Sequence, residues 1–192
     1  AILAPNLLGN LCDWEQIREI ANKHNLIVIE DSADTLGARI KDFSSGYFSD
    51  MSITSFYGSH IINCAGNGGA LTLNDENVCK KAKLLRSWGR SSSLFDDKSE
   101  DINNRFNINL DGIDYDSKFV FDTVGYNLEG NELGAAFGLA QLKKLNNNII
   151  TRQRNFKIQC EFFIKYSKFF QIPIQKGNIS TAWLAFPVLI YK

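Results

Sequence analysis

Leu26-Ile-Val-Ile-Glu-Asp31 decides the fold once it is joined to what precedes it. Upstream, Asp13-Trp-Glu-Gln-Ile-Arg-Glu-Ile-Ala-Asn-Lys-His24 places Trp14, Ile17, Ile20 and Ala21 at helical spacing. Asp13 fits an N-cap and Asn25 a helix stop. Before that helix, Ala1-Ile-Leu-Ala-Pro-Asn-Leu-Leu8 is a short apolar run closed by Gly9-Asn10. The run Leu26–Asp31 reads as a strand buried on both faces. Strand, helix and strand in succession predict a parallel sheet with helices packed on it.

The same alternation extends downstream. Residues 50–57 and 69–74 read as strands, the second entered from a glycine-rich turn. Asp75 caps a helix that runs through Asn77 to Arg86. Residues 89–118, rich in Asn, Asp and Ser, read as one long loop. From Glu132, the positions Leu133, Ala136, Phe137, Ala140, Leu142 and Leu145 are helical, and a second helix covers 150–169. Asn146-Asn-Asn148 marks the junction, and Ala182–Ile190 reads as a last strand.

Composition narrows the function classes. The chain has 192 residues with 21 basic and 21 acidic side chains, a formal net charge of zero, which argues against electrostatic binding to nucleic acid or acidic membranes. Hydrophobic content of 44% and charged content of 22% support a folded core rather than disorder. Cys12, Cys64, Cys79 and Cys160 form no metal-binding spacing and read as buried thiols of a reducing, cytoplasmic setting. No secretory leader or apolar run of bilayer length is present, and both ends read as cut from a longer protein.

Three places carry candidate chemistry. Asp31 ends a strand, where ligands of open α/β sheets bind and where a carboxylate can meet a protonated ring nitrogen; the plainer reading is a turn cap. Ser55-Phe-Tyr-Gly-Ser-His60, followed by Gly66-Asn-Gly-Gly69, can present hydroxyls and backbone N–H groups to a phosphate, with His60 as an acid–base group; the plainer reading is an ordinary loop. Asn127, in Gly125-Tyr-Asn127, can donate to an anion or simply shape a turn. Arg86, Arg90 and Arg105 bracket the polar loop and suit a diphosphate or a solvated surface.

Taken together, these segments resemble the DegT-like nucleotide-sugar aminotransferase family, pyridoxal phosphate (PLP) enzymes of fold type I. The resemblance rests on PNLLGN…DWEQIREIANKHNLIVIEDSADTLGA, on SFYGSH…GNGGALTLND and on GYNLEGNELGAAFGLAQL. The last is similar to the signature G-Y-N-x-x-x-x-E-x-x-A-A-x-G-L-x-Q-L. It implies a mostly parallel sheet flanked by helices: residues 1–145 as part of the large cofactor-binding domain, and 146–192 as a linking helix and first strand of the small C-terminal α/β domain.

By the same resemblance Asp31 pairs with the pyridine nitrogen, Asp34 replaces a Gln or His beside the ring, and Ser55 binds the cofactor phosphate. Asn127 reaches the phosphate in the neighbouring subunit of a homodimer with shared active sites. Family members usually have their Schiff-base lysine five residues after that serine. Here the position is His60, and counting back from the glycine turn gives Ile61 instead. Neither residue is an amine, so the cofactor is held noncovalently.

Histidine in that place resembles the 3-dehydratase branch, as do Asp31/Asp34 and Leu85-Arg-Ser-Trp-Gly-Arg90. That branch uses the amine form, pyridoxamine phosphate (PMP), to remove the C3 hydroxyl of a nucleotide-linked 4-keto-6-deoxyhexose. The absence of clustered cysteines, with Ala33 beside the aspartates, points to the type without an iron–sulfur cluster, in which an amino donor such as glutamate restores PMP. The alternatives are a plain nucleotide-sugar aminotransferase and a catalytically inactive sugar-nucleotide-binding regulator.

Overall fold

The computed structural model describes residues 1–95, 105–106 and 108–191 of the chain. They fall into two compact units, Ala1–Thr72 with Asn131–Lys192 and Leu73–Gly130.

In the first unit, β1 (Ile2–Pro5), α1 (Trp14–His24) and β2 (Val28–Asp31) form the predicted strand–helix–strand, with β1 and β2 parallel and Pro5 opposite Asp31. Asp13 accepts the Gln16 N–H at the start of α1, and Asn25 closes the helix in the left-handed conformation with φ 51°. Trp14 and Ala21 turn inward onto Val28, joined in the core by Leu11, Ala38 and Ile40. Emptying the Trp14 site would cost about 3–5 kcal/mol.

The apolar run predicted burial of β2 on both faces. Instead Val28 and Glu30 are fully buried on the helix side, while Ile29 and Asp31 on the other face are only half-buried. A short antiparallel hairpin, β3 (Arg39–Ile40) and β4 (Phe43–Ser44), then leads to β5 (Met51–Ser55), parallel to β2 with Asp31 opposite Ile53. The sheet order is β1-β2-β5-β6, with β6 covering Gly69–Leu73.

The Leu73–Gly130 unit carries α2 (Glu76–Arg86), capped as expected by Asp75, whose Oδ1 accepts the Val78 N–H at 2.9 Å. The long loop expected over 89–118 contains structure. A 3-10 turn covers Ser91–Leu94, and β7 (Ile108–Leu110) and β8 (Ile113–Tyr115) pair antiparallel around Asp111-Gly112. Both turn residues have positive φ, 52° and 85°, which the twist of a tight hairpin requires. Positions 96–104 and 107 of that expected loop lie outside the described residues.

Back in the first unit, α3 (Glu132–Leu142) begins at Asn131, whose Oδ1 accepts the Gly134 N–H at 2.6 Å. The next helix, α4 (Leu145–Phe163), starts earlier than the sequence pattern suggested, so Asn146–Asn148 lie inside it rather than between helices. Three short strands follow: β9 (Phe170–Gln171), β10 (Ile179–Ser180) on β3, and β11 (Leu189–Ile190) on β9. The expected strand over 182–190 is reduced to β11. Trp183 is left-handed, stacks on Phe156 at 4.1 Å, and gives its carbonyl to Arg152 rather than to a sheet. Among the described residues no helix is long and apolar enough to cross a membrane.

Candidate active site

Parallel register brings the carboxyl ends of β1, β2 and β5 side by side, the place where sheets of this kind take their ligands. Asp31 lies opposite Ile53, and side chains two apart on a strand share a face, so Asp31, Ile53 and Ser55 point to the same side of the sheet. Asp31 Oδ1 accepts the Ala33 N–H at 3.1 Å, and Ser55 Oγ accepts the Tyr57 N–H at 3.2 Å. Each side chain thus shapes its own turn, as the plainer reading of the sequence held, and keeps lone pairs for a ligand.

Past β5 the chain turns, with the His60 N–H on the Tyr57 carbonyl at 3.1 Å. The imidazole Nδ1 comes to 3.3 Å from Asp34 Oδ1, both side chains 16% exposed. That contact has ion-pair distance without hydrogen-bond alignment, leaving Nδ1 a buried nitrogen with no hydrogen-bond partner among the described residues. Asp34 is fixed from its other oxygen by the Leu8 N–H at 2.9 Å. Ile61, the alternative position, is buried at 4% exposure, and the sequence has no lysine between Lys41 and Lys80.

Glu30 and Asn6 were not among the candidates, yet they hold this corner together. Glu30 is 1% exposed and accepts three hydrogen bonds: from Asn6 Nδ2 at 2.9 Å, Ser32 Oγ at 2.5 Å and the Gly46 N–H at 2.8 Å. Burial pushes its carboxyl above the usual range, against the lowering effect of these donors. Asn6 Oδ1 in turn accepts from Trp14 Nε1 at 2.8 Å and from the Cys12 N–H at 3.1 Å. The network anchors the turn after β2, residues Ser32–Thr35, on which Asp34 stands. One signal was visible: a charged residue inside an apolar strand run.

Asn127 belongs to the other unit, with its side chain exposed. Its backbone bridges Ser87, and Tyr126 and Leu128 flank the bridge with bonds to the Leu85 and Arg86 carbonyls. Gly125 is required there, because a Cβ would stand 2.3 Å from the Gly89 nitrogen. Arg105 pairs with Asp116 in the same unit. The cysteines are free and half-buried rather than fully buried, and burial raises the Cys12 and Cys160 thiols.

A parallel α/β sheet with carboxylates, a serine and a histidine at its carboxyl end defines a ligand-binding chain of the PLP-transferase fold. Over residues 1–192 it matches, and belongs to, the DegT/DnrJ/EryC1/StrS aminotransferase family. It is 31% identical over 192 residues to the lipopolysaccharide biosynthesis protein RfbH of Salmonella typhimurium, covering 99% of this chain and 44% of that protein. It is 34% identical over 154 residues to the GDP-perosamine synthase of Caulobacter vibrioides, covering 80% of this chain and 35% of that one. Among solved structures, the E. coli GDP-4-keto-6-deoxy-D-mannose-3-dehydratase with bound hydrated PLP superposes with a TM-score of 0.81 at 27% identity, over 100% of this chain and 46% of that one. The chain spans less than half the length of these relatives.

Proposed function

We propose that the protein is a PLP/PMP-dependent enzyme that removes the C3 hydroxyl of a nucleotide-linked 4-keto-6-deoxyhexose, with glutamate as amino donor. The observation that carries this reading is the half-buried imidazole of His60 facing Asp34; the family resemblance sets the tethering amine at this position. The residues present fit a noncovalently held cofactor: Asp31 and Ser55 share a sheet face, an unpartnered ring nitrogen lies in the same corner, and the alternative register, Ile61, is buried. When bound, PMP would supply the amine that condenses with the 4-keto group and the electron sink for the elimination.

Asp31 would hold the ring nitrogen and Ser55 the phosphate. Asp34, fixed by Leu8, holds His60 through Nδ1 and leaves Nε2 as the atom that moves the proton. Misaligned contacts of this kind in a ligand-free site tighten when the site fills. An imidazole moves protons but cannot displace the sugar as lysine would, so loss of the hydroxyl competes with amino transfer. The oxygen lost from C3 balances the oxidation of glutamate to 2-oxoglutarate and ammonia.

We further read residues 1–145 as part of the cofactor-binding domain and 146–192 as the link into a smaller one, in a cytoplasmic enzyme of surface-polysaccharide synthesis. A homodimer, with Asn127 reaching the neighbour's phosphate, is supported by the exposed apolar side chains Leu133 and Leu139 of α3. The second reading, a nucleotide-sugar aminotransferase, is favoured by the similarity to GDP-perosamine synthase.

Full-length protein supplied with cofactor, glutamate and GDP-4-keto-6-deoxymannose or its dTDP and UDP counterparts separates the two. A 3-deoxy sugar with equimolar 2-oxoglutarate and ammonia is expected. An amino sugar retaining its C3 hydroxyl supports the second reading, and glutamate consumption without sugar turnover rejects both. His60→Lys should attach the cofactor covalently, with a visible absorption band; if PLP binds without one, His60 does not occupy the lysine position.

A further inference from the structure

The turn after β1 reaches Asp34 through the Leu8 N–H, and that turn is itself held from behind. Leu8 has φ 58°, a left-handed conformation that a leucine keeps only when its surroundings demand it. The demand comes from residues 180–184, far along the chain but in the same compact unit. The Leu184 N–H donates to the Leu8 carbonyl at 3.0 Å, and the buried Thr181 Oγ1 donates to the Gly9 carbonyl at 2.8 Å. The two backbones are in contact: a Cβ on Gly9 would stand 2.6 Å from the Trp183 Cα. Trp183 is left-handed as well, with φ 48°. Helix α4 fixes this segment in turn. Arg152 Nη1 donates to the Trp183 and Leu184 carbonyls at 3.2 and 3.3 Å, and Gln153 Nε2 donates to the Thr181 carbonyl at 3.2 Å.

These contacts run in one line from α4 to the imidazole. The strap 180–184 grips the carbonyls of Leu8 and Gly9, the N–H of the same Leu8 anchors one oxygen of Asp34, and the other oxygen faces His60 Nδ1. A leucine released from that grip relaxes to negative φ, and the peptide that carries its N–H turns with it. We propose that residues 180–184 position the candidate proton carrier: Thr181, held by α4, keeps Leu8 left-handed so that its N–H fixes Asp34, and Asp34 keeps the His60 proton on Nδ1 and Nε2 free to accept one. Thr181 and Arg152 are thus positioning residues that act through Leu8 and Asp34. The reaction they serve rests on the function proposed above; the strap itself does not.

The test labels the full-length protein with ¹⁵N-histidine and reads the imidazole nitrogen shifts, His60 being assigned by the signal lost in His60→Gln. The wild type is expected to show the Nδ1–H tautomer at His60. Thr181→Val keeps the shape and loses the donor, so the proton should divide between the two ring nitrogens. Its kcat should fall about tenfold or more, with KM for the sugar nucleotide and cofactor affinity little changed. Thr181→Ser, which keeps the hydroxyl, should restore both the tautomer and kcat. In an Asp34→Ala background, Thr181→Val should add no further change to either. Should Thr181→Val fail to fold, the half-buried Arg152→Met gives the same readings.

A His60 tautomer unchanged in folded Thr181→Val and Arg152→Met overturns the proposal. So does a lowered melting temperature with the tautomer and kcat intact, which leaves the strap a purely structural contact, or a kcat loss that recurs in full without Asp34. A wild-type protein that removes no hydroxyl, yet whose His60 tautomer shifts in Thr181→Val and returns in Thr181→Ser, refutes the dehydration and leaves the strap standing.

Discussion

His60 Nδ1 lies 3.3 Å from Asp34 Oδ1, and the other oxygen of Asp34 is held by the Leu8 N–H at 2.9 Å. A loop after β1 thereby sets the residue that faces the histidine after β5, so three segments far apart in sequence meet at one ring nitrogen. The arrangement resembles a base and its orienter more than a structural ion pair, because the carboxylate is anchored from behind and the ring keeps its far nitrogen.

Asp34→Asn tests that relationship. An asparagine oxygen can still accept the Leu8 N–H, which leaves the amide NH₂ facing Nδ1. The imidazole must then accept at Nδ1 and carry its proton on Nε2, the wrong tautomer for a base. Turnover should fall about 10²-fold or more with little change in KM, and the protein should melt normally. Unchanged turnover would show that Asp34 does not orient His60.

Glu30→Gln probes the buried network behind that turn. All three partners of Glu30 donate, so an amide must set its NH₂ against a donor, at a cost of about 1–3 kcal/mol. The wild-type carboxyl is raised by burial, so its contribution is complete below the ordinary glutamate pKa of about 4.3 and is lost as pH rises through the raised folded value. Urea denaturation across pH should show this slope in the wild type and its absence in Glu30→Gln. A slope shared by both proteins would assign it to another group.

Much of this was legible in sequence because local signals agreed with tertiary demands. Asp13, Asn25 and Asp75 act as the caps they resemble. The Asp111-Gly112 hairpin also carried its signal, two residues suited to positive φ between alternating side chains, but the polar composition around it masked it. The helical pattern over 150–169 did not reveal the earlier start of α4, since asparagines are tolerated inside a helix whose stability comes from packing. Asn6 and Leu8 were not readable at all. Their roles, as a buried amide and a backbone donor, exist only where the turn after β1 meets the turn after β2.

Asp50 fixes the opposite end of the β2–β5 pair. Its carboxylate accepts the Val28 N–H at 2.7 Å and Arg18 Nη2 at 3.1 Å, and its pKa is lowered first by the backbone bond and then by the arginine. The side chain is 46% exposed, so the ion pair itself is discounted to about 0.5 kcal/mol. Asp50→Asn keeps an acceptor for Val28 and should cost about that much, whereas Asp50→Ala should cost about 1–2 kcal/mol. With a lowered folded pKa the stabilisation is complete above about pH 3.9 and is lost as pH falls through the lower folded value. Acid titration of both variants should therefore show a shallower loss than the wild type; parallel curves would deny the linkage.

Gly138 in α3 sits against Cys64, and an added Cβ would stand 2.5 Å from the sulfur. Gly138→Ala gains about 1 kcal/mol of helix propensity but crowds a short side chain at about 1–3 kcal/mol, so it should be neutral to destabilising. Cys64→Ala alone empties the space the sulfur fills and should cost about 1 kcal/mol. In the double variant the new methyl occupies that space and the helix gain survives, giving a favourable coupling of about 1–2 kcal/mol. Urea unfolding of the four proteins reads the coupling directly. Additive losses would mean that α3 shifts away from Cys64 rather than packing on it, and that the glycine serves another contact.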